Sequence, residues 1–227
     1  MVVNARRGAS SAARRWVYVV VGLAAGFSGL AVVGTILTGV PLALFEGALL
    51  VMPVGVAVAV VRRVPKPVAR EVWRVVRAGI LAGALATLAY DVTRTILAAF
   101  DPSPYSPFEA IRMFGLGVVP ATAPIEVVMT AGFAIHLLNG SSFGVVYSVF
   151  AGRGATSTRG ALTSGIAWGL TLELLQSILY PGWLHITTVL REFLVISGLG
   201  HIVYGATLGT GVRRLLRRGR GGDHDDN

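Results

Sequence analysis

Apolar residues come along this chain in six continuous runs, at 16–38, 41–61, 75–99, 125–151, 160–180 and 192–212. An α-helix rises 1.5 Å per residue, so a run of about 20 residues crosses roughly 30 Å of hydrocarbon. The runs do not alternate apolar with polar, as the strands of a membrane β-barrel must. The pattern predicts an all-α fold, a polytopic membrane helix bundle of six transmembrane helices. Pro53 falls inside the second run, where it removes a backbone donor and is expected to kink the helix.

The charges fall between the runs, and unequally. Arg6, Arg7, Arg14 and Arg15 precede the first run; Arg62, Arg63, Lys66, Arg70, Arg74 and Arg77 separate the second from the third. Arg153 and Arg159 lie between the fourth and fifth, and Arg213, Arg214, Arg217, Arg218 and Arg220 follow the sixth. With six spans, 17 of the 20 basic residues lie on one side; the other side holds Arg112 and Arg191, and Arg94 is inside the third run. The positive-inside rule then places both termini in the cytoplasm. The net charge of +9 is therefore topogenic, and nucleic acid is not an expected partner. Only 14% of residues are charged, against about 25% in soluble domains, and the mean hydropathy is +0.69. The expected location is the plasma (inner) membrane of a prokaryote, with the lipid bilayer as partner. Cysteine is absent, which excludes disulfides and thiolate chemistry. Arg14-Arg15 hints at a twin-arginine signal, but no small-residue cleavage site follows, so the first span reads as uncleaved. Trp16, Tyr18 and Trp73 near one boundary, and Tyr105, Tyr180 and Trp183 near the other, are expected to form aromatic belts.

These features divide the chain into a basic N-terminus (1–15), a first hairpin (16–61), a basic linker (62–77), a four-helix unit (78–212) and a C-terminal tail (213–227). In the linker, Val68, Val72, Trp73 and Val76 share one helical face, which predicts a helix lying on the inner leaflet against anionic lipid. In the outer segment, Ser106-Pro107-Phe108-Glu109 reads as a capping box with proline at the first helical position. It predicts a short helix near 107–115, lying in the interface or folding back as a lid. Asp223, His224, Asp225 and Asp226 read as a solvated tail.

The fourth and sixth runs share a pattern. His136, Gly140 and Gly144 match His201, Gly205 and Gly209 as H-x-x-x-G-x-x-x-G, 65 residues apart. Gly83 and Asp91 of the third run match Gly165 and Glu173 of the fifth, 82 residues apart, and Arg94 then matches Gln176. This suggests a parallel repeat of the last two hairpins. Small-xxx-small spacing also lets helix backbones approach closely, which is the plainer use of these glycines.

Asp91, His136, Glu173 and His201 are the ionisable side chains at one depth, about 10–17 Å from the outer boundary at 1.5 Å per residue. Glu46 is expected just above them. Charges in hydrocarbon cost at least about 2.5–3.5 kcal/mol, so such groups are paired, buried or functional. Two histidines with two or three carboxylates could bind a divalent metal ion, which makes Asp91, His136, Glu173 and His201, with Glu46, candidate ligands. The same groups could pass protons. His136 and His201 alone could ligate haem b. The plain alternative is a structural hydrogen-bond network. Arg94, on the same face as Asp91, is expected to neutralise it or to reach toward the interface. Ser141 or Ser142 facing His201 would form a serine–histidine pair. No P-loop, dinucleotide fingerprint or H-E-x-x-H motif is present.

The strings GHIVYGATLG, HLLNGSSFGVVYSVF and AGILAGALATLAYD resemble prokaryotic multi-pass membrane families of unknown function, loosely akin to the YagU-like inner-membrane proteins. The resemblance covers about 78–212. It implies a membrane location and no particular reaction. The resulting expectation is an integral membrane protein, with no catalytic residues assigned, whose buried polar cluster binds a metal ion or proton for transport or an auxiliary role. The alternative is a non-catalytic structural subunit of a larger membrane complex, for example a respiratory one, or a bis-histidine haem protein; the expected partners beside lipid are other membrane proteins or further copies in a homo-oligomer.

Overall fold

A computed structural model describes residues 2–221, with side chains described for 15–48 and 51–218. The acidic tail at 223–226 lies outside the described residues. Seven helices follow in order: α1 (Val2–Thr38), α2 (Leu42–Arg63), α3 (Lys66–Ala99), α4 (Glu109–Leu116), α5 (Ile125–Phe150), α6 (Thr158–Trp183) and α7 (Leu190–Gly221). Short 3₁₀ turns at Gly152–Gly154 and Thr187–Val189 join α5 to α6 and α6 to α7. No strand occurs among the described residues. All helices except α4 are long and apolar enough to cross a membrane, in agreement with the six runs read from the sequence.

Two segments differ from expectation. The basic linker is no separate surface helix, because residues from Lys66 onward are the first turns of α3, which runs 34 residues without a break. Pro65 and Pro67 suit a helix start, and nothing before Asp101-Pro102 breaks the helix again. The valine face meets protein: Val72 and Val75 are buried with Val17, Tyr18, Val61 and Val149, and Val68 and Val76 pack beside them. The outer helix begins at Glu109 rather than Pro107, and no side chain caps it. The Glu109 carboxylate that a capping box would turn back on the helix start pairs instead with Arg112, at 2.6 Å.

α3 is the central helix, packed against α5 on one side and α7 on the other; α6 packs on α7, and α1 on α2 and α5. Two of these contacts are glycine on glycine. A Cβ at Gly144 would meet the Gly79 carbonyl and Gly83 Cα; a Cβ at Gly209 would meet the Ala161 carbonyl and Gly165 Cα. Backbone thus lies on backbone at both places, as small-xxx-small packing requires. Tyr204 reaches across and donates to the Gly140 carbonyl at 3.0 Å.

The α6–α7 turn sets the height of the Glu173 and His201 helices. Past Trp183, Leu184 N–H donates to the Tyr180 carbonyl (2.7 Å) and Ile186 N–H to the Pro181 carbonyl (3.2 Å). This is a Schellman-type ending, and its left-handed residue is His185, with φ of 54°. Glycine takes this conformation without the Cβ penalty of about 1–2 kcal/mol. His185→Gly is therefore expected to raise thermal stability slightly, by up to about 1 kcal/mol once glycine's unfolded-state entropy is counted. A lower melting temperature in detergent would show that the imidazole makes a contact worth more than the strain.

Candidate functional site

The four ionisable residues form two carboxylate–imidazole pairs, one in each glycine-packed hairpin. His136 Nε2 lies 3.1 Å from Asp91 Oδ1, across α5 and α3. His201 Nδ1 lies 2.8 Å from Glu173 Oε2, across α7 and α6. Asp91, Glu173 and His201 are buried, and His136 is half-buried. Each carboxylate faces a histidine because it stands eight residues beyond the glycine (Gly83, Gly165) that brings its helix against the partner.

Carboxylates accept, so in the neutral rings the proton sits on His136 Nε2 and on His201 Nδ1. The Ser197 carbonyl, 3.1 Å from His201 Nδ1, favours the same tautomer. The remaining nitrogens, His136 Nδ1 and His201 Nε2, carry the lone pairs.

Ser197, one turn before His201, was not singled out by the sequence and is the hub of the second pair. Its hydroxyl donates to Glu173 Oε2 at 2.7 Å and accepts from Gln176 Nε2 at 2.6 Å. A hydroxyl has one proton, so the Tyr90 hydroxyl, 3.2 Å away, must donate to Ser197. Ser177 donates to Glu173 Oε1 at 3.2 Å. Tyr90 joins the pairs physically, its ring centre 4.7 Å from that of His201 and 5.9 Å from that of His136. The signal for Tyr90 and Ser197 was present: a hydroxyl in an apolar run needs a partner.

Arg94 lies beside Asp91 and is itself buried. One guanidinium nitrogen stands 3.9 Å from Asp91 Oδ1, a looser contact than the histidine makes. The guanidinium carbon lies 4.7 Å over the Tyr90 ring, and Tyr105, in the loop between α3 and α4, is a further neighbour. Arg94 Nε is buried without a hydrogen-bond partner. Burial pushes the Tyr105 phenol above its ordinary range, with Arg94 partly opposing that rise.

Both histidines, Tyr90, Arg94 and Gln176 line one cavity of about 110 Å³. α4 forms its roof, with Ile111 and Phe114 buried and Phe114 stacked on His136 at 6.4 Å between ring centres. Phe114 also meets Tyr180 and Trp183, at 6.4 and 5.7 Å. Of the two placements expected for the short helix, it takes that of a lid. Tyr105 and Tyr180 line the cavity, and Trp183 packs beside them on Phe114 of α4.

Glu46 does not join this group. It is buried on α2, where Ser28 Oγ lies 3.0 Å from its Oε1 and 2.6 Å from Asn139 Oδ1. Ser141 and Ser142 line a groove on another face of α5, and neither pairs with His201. Among the described residues no group of three or more His, Asp or Glu side chains is placed to hold one metal ion. The carboxylates are taken up by imidazoles and hydroxyls. A haem does not fit between His136 and His201: a cavity of about 150 Å³ in another protein holds one benzene, and this one is smaller.

The chain matches no known family model, no curated protein and no solved structure.

Proposed function

We propose that this is an integral membrane protein that exchanges protons at two carboxylate–histidine pairs, on a lidded cavity in the outer half of the bilayer. The observation that carries the reading is that the histidine of each pair borders one cavity, with its carboxylate behind it. With Asp91 and Glu173 ionised, Arg94 charged and both imidazoles neutral, the group holds one net negative charge. One proton taken up brings it to zero. Tyr90, Ser197 and Glu173 give the proton a hydrogen-bonded path toward His201. Such a site serves proton-linked transport or an auxiliary proton-handling role, and it calls for no catalytic residue.

Two finer points of architecture support this reading. The charge asymmetry favours both termini in the cytoplasm, which puts the cavity near the outer face. The second is duplication. The offsets of 82 and 65 residues that relate α3 to α6 and α5 to α7 carry the Gly144 packing onto the Gly209 packing, with the facing carbonyl and glycine Cα at equivalent positions, and Asp91–His136 onto Glu173–His201. Under that relation the α3–α7 contact has α6–α5 as its counterpart. α5 and α6 meet through Tyr147 and Ser164, at 2.8 Å, and the cavity occupies the rest of that seam. A cavity where a duplicated bundle departs from its own symmetry is a sensible place for a ligand.

The test is proton uptake by purified protein in nanodiscs after a pH jump across 5–8. Wild type is expected to bind about one proton more than His136→Gln plus His201→Gln, and more than Glu173→Gln plus Asp91→Asn, which has no net negative charge left to neutralise. Equal uptake by wild type and the double histidine variant would end this reading. A metal version requires an ion to displace the existing pairs; stoichiometric zinc, iron or manganese in wild type, lost with the two histidines, would establish it instead.

A further inference from the structure

A second site lies on the opposite, basic side of the bundle. α2 and α3 make almost no contact, although a turn of two residues joins them. Between them runs a groove of about 580 Å³ whose floor is α1 and α5. Its walls include Ala57, Val58, Val61, Val76 and Ile80, and its polar lining is confined to Ser141 and Ser142 apart from the Trp73 indole. Along α5 the groove runs from Val145 to Ala134, which at 1.5 Å per residue is about 17 Å. That length matches one leaflet, half of roughly 30 Å of hydrocarbon.

The basic end of the groove is closed by Trp73. The other face of Trp73 borders a second hollow, of about 340 Å³, lined by Arg70, Arg74, Arg77 and Leu215. Arg74 is paired with Glu71 at 2.5 Å. Arg70 and Arg77 are exposed and make no ion pair among the described residues. The three arginines follow one face of α3 at i, i+4 and i+7, and the same face continues as exposed Ile80 and Leu81. Cation thus gives way to hydrocarbon contact within one turn.

We propose that these two hollows together are a binding site for one anionic phospholipid of the leaflet on the basic side. The phosphate sits on Arg70 and Arg77, and one acyl chain lies in the groove between α2 and α3. Two independent features of the site favour this occupant. An arginine hollow between helices suits a phosphate headgroup. The groove is apolar and one leaflet long, and the acyl chain of a lipid matches both its length and its lining. The site shares no residue with the proton-exchanging cavity and stands or falls without it.

The full chain is delipidated in mild detergent and given phosphatidylglycerol or phosphatidylcholine with the same acyl chains. Bound lipid is counted by native mass spectrometry. Wild type is expected to retain one phosphatidylglycerol at least tenfold better than phosphatidylcholine. Arg70→Gln plus Arg77→Gln is expected to remove that preference, and Ala57→Phe to lower retention of both lipids by filling the groove. Equal retention of the two lipids by wild type would overturn the proposal. So would undiminished preference in the arginine variant. Should Ala57→Phe fail to give a monodisperse protein, the arginine variant, which changes only exposed side chains, decides the matter.

Discussion

Replacing Gly209 or Gly144 with valine is expected to abolish the folded protein, or to lower its stability by several kcal/mol. A Cβ at either position runs into main-chain atoms of the facing helix, the Ala161 carbonyl for Gly209 and the Gly79 carbonyl for Gly144. A side chain can rotate away from an overlap, but a carbonyl within a helix cannot. The two helices must separate along their length. Overpacking of an ordinary core costs about 1–3 kcal/mol, and a clash with backbone lies at or beyond the top of that range. The separation also pulls each histidine from its carboxylate, so the stability cost and the loss of the site arrive together. Gly47, Gly55 and Gly182, with no neighbouring atom where a Cβ would stand, are the controls, and alanine there should be tolerated. The measurement is monodisperse yield and melting temperature in detergent. If Gly209→Val melts with those controls, the close glycine packing is not what holds the hairpins together.

Much of this was readable from residue order. Six apolar runs became six long helices because a helix satisfies its own backbone in an apolar solvent, so the length of a run sets the element. The equal depth of Asp91, His136, Glu173 and His201 was a matter of counting at a fixed rise, and the side chains do meet in pairs. Which of them meet was not legible. Spacing along a helix gives a face but not the neighbour that the face turns to. Two pairs and a four-ligand cluster look alike in one dimension. Ser197 and Tyr90 escaped notice for the same reason, since their importance lies in what stands across from them. The linker misled because its arginines and valines suit a surface helix. Only the tertiary contacts of Val72 and Val75 show that the valine face is buried in protein. Glu109 misled because Arg112, one turn on, competes for the carboxylate.

Glu173→Ala is expected to be the most damaging change within the polar layer, because it leaves more than one buried donor unsatisfied at about 1–3 kcal/mol each. The Glu173 carboxylate accepts from Ser197 and Ser177 and lies against His201 Nδ1. Gln176 lies 3.4 Å from the same oxygen and donates to Ser197. Alanine therefore strands a buried serine and a buried imidazole, and the Tyr90 hydroxyl loses the end of its chain. Glu173→Gln keeps an acceptor oxygen and the volume of the side chain, so its cost should stay near the 1–3 kcal/mol of one unsatisfied buried group. The two variants separate structure from proton chemistry. If the layer only holds helices together, Glu173→Gln should keep both its fold and the proton uptake of wild type. If the carboxylate takes part in exchange, Glu173→Gln should fold and yet lose uptake, because an amide does not titrate. Asp91→Asn offers the same comparison in the other hairpin, with one difference. Arg94 then keeps only the Tyr90 ring and the Tyr105 side beneath the lid, so its charge is left without a carboxylate. A stability loss for Asp91→Asn that is largely reversed by adding Arg94→Gln would identify that stranded charge as the cause. A loss that Arg94→Gln deepens would place the cost on His136 instead.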